Sequence, residues 1–134
     1  MKLIVLHITL LVLTVSGLYA QNNQNAEADT VTIRIVGSME NSRFVPAEAD
    51  IQKGDLLRFV VEEGIHTVTA YHPDNRRELG IPESAESFDS DLLQKGQEWF
   101  YRPNVTGEYN YFCRPHERMG HKGKFTVRSS DKNN

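Results

Sequence analysis

No run of ten residues in this 134-residue chain keeps a helical period, whereas short stretches of alternating apolar and polar side chains recur along it. Gly, Pro, Asn and Asp cut these stretches apart, which is the pattern of short strands joined by turns. Residues 30–37 (TVTIRIVG) show it most clearly, with β-branched side chains in series. Residues 56–62, 66–71, 98–102, 107–113 and 123–128 have similar strand composition, and Lys53-Gly54-Asp55 marks a turn just before Leu56. Strands of this kind bury one face each by packing as two sheets, so the expected class is all-β, an antiparallel sandwich. The connection over residues 72–95, with PES and FDSDLL inside it, interrupts the series and is expected to hold a short helical turn.

The ends of the sequence have a different character. Lys2, the apolar stretch 3–15 and the segment SGLYA read together as a secretory signal over residues 1–20, with an uncleaved membrane anchor as the alternative. Residues 21–29 (QNNQNAEAD) are polar and aperiodic and read as a disordered spacer, as do residues 129–134 at the other end. Residues 30–128 remain as one domain, expected to be monomeric and to work outside the cytoplasm, secreted or periplasmic. Acidic side chains outnumber basic ones 18 to 15, for a net charge of −3. That sign argues against nucleic acid, whose binding requires clustered Lys and Arg.

Cys113 is the only cysteine, so the domain has no disulfide and no site for a lipid near the signal. A lone thiolate in an oxidising compartment persists only if it is buried or bound to a metal. A single cysteine on an inward strand face is ordinarily a core residue. The segment YNYFCRPHERMGHKGK over residues 109–124 points the other way, because Cys113, His116, Met119 and His121 fall within nine residues, between two strands. Thiolate with imidazole selects copper or zinc, and two imidazoles with one thiolate in a trigonal plane define an electron-transfer copper site. His66 in GIHTV opens another strand and supplies the further imidazole. Alternation along residues 107–113 puts Tyr109, Tyr111 and Cys113 on one inward face, and Pro115 then ends the strand in a tight loop that returns His116 toward the sulfur. His116 and His121 are five apart, not four, so they are not the pair of a helical zinc protease motif. Zinc in the same pocket remains an alternative to copper. His72 reads as a surface histidine, and Asn104-Val105-Thr106 as a glycosylation sequon relevant only in a eukaryote.

The segments FVPAEADIQKGDLLRFV (44–60), HTV (66–68), GEYNYFCRPHE (107–117) and GKFTV (123–127) resemble the plastocyanin and pseudoazurin branch of the cupredoxins. The resemblance covers most of the domain and implies a cupredoxin-like Greek-key β-sandwich or barrel of seven to eight strands. It implies one copper ion per chain, with His66, Cys113 and His116 in the trigonal plane, and a corner tyrosine at Tyr109. The family's C-x2-H-x4-M pattern, followed by x-G-K, has a weak axial methionine, but here His121 holds that register and Lys122-Gly123-Lys124 follows it. Met119 lies two residues early, so His121 is the expected fourth ligand and Met119 the alternative. An imidazole there lowers the reduction potential and replaces intense blue with green or red.

The expected function is a non-enzymatic single-electron carrier between redox protein partners, with membrane contact only if the signal is uncleaved. A copper storage, delivery or sensing module and a small catalytic copper site are the alternatives. Arg114, Pro115, Glu117 and Arg118 are expected to form a charged rim around the His116 edge.

Overall fold

The structure is a computed structural model that describes residues 28–71 and 80–130. Eleven strands run through the described residues: β1 (Thr30–Val36), β2 (Arg43–Val45), β3 (Glu48–Gln52), β4 (Leu56–Val61), β5 (Ile65–His66), β6 (Thr69–Ala70), β7 (Phe88–Asp89), β8 (Leu93–Gln94), β9 (Glu98–Tyr101), β10 (Gly107–Phe112) and β11 (Lys122–Arg128). They form one sheet in the order β2-β1-β4-β9, a second in the order β3-β11-β10-β6-β7, and a separate ribbon of β5 with β8. The result is the β-sandwich expected of the sequence, with neither sheet closed on itself. It is not wholly antiparallel, because β1 pairs with β4, and β11 with β3, in parallel register. Each parallel pair joins strands whose connection crosses between the sheets, which is how Greek-key chains return.

Alternation fixes the core. In β1, Ile33 and Ile35 are fully buried while Thr32 and Arg34 face outward, and in β4 Leu57, Phe59 and Val61 meet them from the neighbouring strand. Tyr109 and Tyr111 do the same in β10, between exposed Glu108 and Asn110. Each such apolar side chain contributes on the order of 1.5–3 kcal/mol through burial. The Tyr109 hydroxyl donates to the Val105 carbonyl at 2.8 Å, tying the turn before β10 to the sheet as a corner tyrosine does. Opposite Tyr111 in the register stands Gly123, where an added Cβ would lie 2.4 Å from the tyrosine ring, so only glycine lets β11 cross there.

Two expectations are corrected. The stretch 66–71 is not one strand: β5 pairs with β8, the buried Thr67 and Val68 cross over, and β6 joins the second sheet. Residues 66–70 are all buried, so both faces have partners. In the described part of the connection 72–95 a single turn closes at Pro82–Ala85, where the Ala85 N–H donates to the Pro82 carbonyl at 2.9 Å, and FDSDLL is not helical. The Asp89 carboxylate accepts the Asp91 N–H at 2.8 Å, a local bond that competes with a helix, and Phe88 and Leu93 are buried in separate strand pairs. The signal segment, most of the spacer, His72 and residues 131–134 lie outside the described residues.

Candidate metal centre

Three elements converge at one end of the sandwich. β10 delivers Cys113 just beyond its last residue, β5 delivers His66, and a 3-10 helix over Arg114–Met119 carries His116. Pro115 does not break this helix, because it sits in the first turn, where its missing N–H has no intrahelical role. Gly120 closes the helix in a left-handed conformation (φ 84°) and its N–H donates to the Glu117 carbonyl at 3.0 Å. The chain then turns back, and the Cys113 N–H donates to the His121 carbonyl at 3.1 Å, which locks the two ends of the loop together.

The donor atoms of His66, Cys113, His116 and His121 all lie within 4.8 Å of one another, and all four residues are buried. Cys113 Sγ is 3.3 Å from His116 Nδ1 and 3.7 Å from His66 Nδ1. An ion bonded at about 2.0–2.3 Å to such donors holds them about 3.3–3.8 Å apart in a tetrahedron and farther apart in a flatter arrangement. The spacing therefore suits one transition-metal ion. Thiolate with imidazoles is the donor chemistry of copper and of zinc alike.

His66 is oriented by the backbone. Its Nε2 lies 2.7 Å from the Glu63 carbonyl and 3.1 Å from that of Gly37, both acceptors, so the proton belongs on Nε2 and Nδ1 keeps a lone pair facing the sulfur. His121 is different: it is 1% exposed, packs against Phe44 at 4.2 Å between ring centroids, and neither ring nitrogen has a hydrogen-bond partner. A buried imidazole without partners carries a cost that metal coordination removes. Met119, in contrast, is 45% exposed, with much of its side chain turned to solvent.

Burial holds the Cys113 thiol above its ordinary range, opposed by hydrogen bonds from Thr67 and His116 and by the Arg114 charge. Burial, reinforced by neighbouring His66, keeps His116 below its usual value. Burial first, then His66 and His116, push His121 down to about 3. Both histidines thus remain neutral near pH 7, which is the form that binds a metal. Unfolded, His121 protonates near 6.5, while folded it resists down to about 3. Between these values only the unfolded chain binds the proton, so stability of the metal-free protein falls as the pH falls, by up to about 1.4 kcal/mol per pH unit for this one residue. Urea unfolding of the metal-free protein at about pH 7.5 and about pH 4.5 measures it, and a flat profile contradicts it.

Gly64 is a second constraint on His66. It has φ +82°, and an added Cβ would lie 2.8 Å from His66 Nε2 and 3.2 Å from the Gly37 carbonyl oxygen. Gly64→Ala is expected to destabilise the fold by about 1–2 kcal/mol through backbone strain and to weaken metal binding by pushing the ring off its carbonyl anchors. Thermal unfolding and a metal titration of the variant check both effects.

The four residues gathered here are the ones the sequence pointed to, but their supports were not visible in it. Thr67 donates its N–H to Cys113 Sγ at 3.4 Å, its hydroxyl oxygen accepts the Arg114 N–H at 2.9 Å, and Arg114 is ion-paired with Asp89 at 3.0 Å. The position of Thr67 beside His66 was the only signal for it in the sequence. Arg114, Pro115 and Arg118 are exposed on the helix that carries His116. Exposed Met39 and Ile65 lie on the short turn 39–41 and on β5, two elements that neighbour this helix, so apolar as well as charged side chains are exposed at this end.

Comparison with known proteins adds to this geometry. Residues 31–128 match the family model described as copper binding proteins, plastocyanin/azurin family. The chloroplastic plastocyanin of Chlamydomonas reinhardtii is 29% identical over 102 residues, covering 76% of this chain and 69% of that protein. The chloroplastic plastocyanin minor isoform of Arabidopsis thaliana is 31% identical over 97 residues, covering 70% of this chain and 56% of its own length. The pseudoazurin structure from Methylobacterium extorquens AM1 superposes with a TM-score of 0.59 at 22% identity, covering 78% of this chain and 79% of that one, a likeness of fold.

Proposed function

The chain belongs to the plastocyanin/azurin family of copper-binding proteins, and from that membership we propose that it is a single-electron carrier in which His66, Cys113, His116 and His121 would hold one copper ion. The observation that carries the proposal is the buried cluster of one sulfur and three imidazoles, none of them turned to solvent. Copper supplies the chemistry, one electron taken up and given back between its two oxidation states.

The rest is the work of the chain. The Glu63 and Gly37 carbonyls hold His66, the Thr67 N–H supports the Cys113 sulfur, and the capped 3-10 helix fixes His116. A donor cage held from several sides changes little between oxidation states, which keeps the reorganisation of each transfer small. Membership of this family supports a carrier and not an enzyme. His116, at 8% exposure, is the least covered of the four and offers the shortest way out for an electron. Redox proteins are the partners, meeting the mixed apolar and charged surface around that edge. Export to the periplasm or the exterior, and a monomeric state, belong to the same proposal. The export reading rests on the signal-like segment 1–20.

Voltammetry of the copper-loaded chain tests the proposal. A carrier gives a reversible one-electron couple, keeps its copper against a mild chelator and shows no spectral change with azide. Ready loss of copper to the chelator would identify a delivery or storage module instead, and an azide-induced change an open catalytic site.

A further inference from the structure

The Arg114–Asp89 ion pair lies outside the donor set but reaches the Cys113 sulfur by two routes. Arg114 follows Cys113 directly, and its guanidinium meets the Asp89 carboxylate with two contacts, Nε to Oδ2 at 3.0 Å and Nη2 to Oδ1 at 3.2 Å. Asp89 is itself fixed: it lies in β7, pairs with Thr69, accepts the Asp91 N–H at 2.8 Å and stands 3.4 Å from the Tyr71 hydroxyl. Bidentate geometry of this kind is specific and directional. The mechanical route runs through the backbone. The Arg114 N–H donates to Thr67 Oγ1, which also accepts from the Thr69 hydroxyl at 2.9 Å, while the Thr67 N–H donates to Sγ.

The electrostatic route is more informative, because its sign depends on which half of the pair is removed. Arg114 is the residue next to Cys113 in the chain, so the cation that Asp89 holds belongs to the immediate neighbour of the sulfur ligand. A cation beside the sulfur disfavours the oxidised site, which carries one more positive charge than the reduced one. It therefore raises the reduction potential, and an anion paired with it lowers the potential again. The side chains of Arg114 and Asp89 are 42% and 26% exposed, so water attenuates both effects without reversing them.

We infer that Asp89 is a positioning and charge-compensating residue for electron transfer: it fixes the guanidinium of Arg114, the residue next to the Cys113 sulfur ligand, offsets its charge, and thereby tunes the reduction potential of the site. This rests on the copper-carrier reading and adds to it a residue 24 positions away in sequence from the sulfur it tunes.

The test uses the copper-loaded full chain with Asp89→Asn, Arg114→Gln and the two combined. The potential is expected to rise in Asp89→Asn, to fall in Arg114→Gln, and to return close to the native value in the double variant. Both single shifts should shrink as salt is added. The position of the thiolate-to-copper absorption band and the melting temperature provide the control for structure. Shifts of the same sign in both single variants, with a weakened band and a lowered melting temperature, mean that the pair only braces the loop, and they overturn the inference. Potentials equal to the native one in all variants overturn it as well. A native protein with no one-electron couple removes the carrier reading together with this one, whereas a normal native couple with same-sign shifts removes this one alone.

Discussion

Cys113→Ser is expected to leave the copper-loaded protein without its intense visible absorption and with copper affinity lower by two to three orders of magnitude. The absorption comes from charge transfer out of the thiolate, and a hydroxyl has no comparable orbital to offer. The affinity follows from arithmetic on four donors. Binding of a transition ion in a four-ligand site is on the order of 10–16 kcal/mol, so one ligand accounts for about 3–4 kcal/mol, or two to three decades. Serine is smaller by little and Cys113 is fully buried, so the metal-free fold should persist, and its melting temperature serves as the control. Retention of the band in this variant would mean that the sulfur is not a ligand.

His121→Met is expected to act in two opposite ways. In the metal-free protein it removes a buried imidazole whose two nitrogens have no partner, and the fold should gain about 1–3 kcal/mol. In the copper-loaded protein it replaces a hard, strong donor with a weak thioether, so the reduction potential should rise and the colour should move toward intense blue. Met119→Ala should change neither spectrum nor potential, since Met119 is 45% exposed and lies outside the buried donor cluster. The reverse pattern, a silent His121→Met and a perturbed Met119→Ala, would assign the axial position to the thioether. Denaturant unfolding, absorption spectra and voltammetry on the same three proteins give all of these results.

What the sequence made legible is local, and what it hid is long-range. Alternation in residues 107–113 placed Tyr109, Tyr111 and Cys113 on one buried face, because period-two patterning is a property of the strand alone. The spacing of Cys113, His116 and His121 across a proline and a glycine implied a tight turn, and the 3-10 helix is that turn. His66 was reachable because GIHTV has strand composition, although His66 ends β5 and does not open a strand. The break between β5 and β6 was not, since a stretch that leaves one sheet for another is buried on both faces and shows no alternation to read. FDSDLL misled because Phe88 and Leu92 lie four apart, as on a turn of helix, whereas the buried pair is Phe88 and Leu93, in two short strands flanking an aspartate-stabilised bend. Parallel pairing of β1 with β4, the meeting of Gly123 with the Tyr111 ring, and the reach of Asp89 to Arg114 all depend on register between distant segments. Composition carries no record of register.

The account stands on a metal held in the pocket lined by Cys113 and the three histidines. Titration of the purified metal-free protein with cupric ion, followed by absorption and paramagnetic resonance, tests this most directly. A visible charge-transfer band that grows linearly and stops at one equivalent, with the resonance of a single copper environment, is the result expected. Protein that stays colourless through the titration, or takes up copper without a stoichiometric end point, contradicts it.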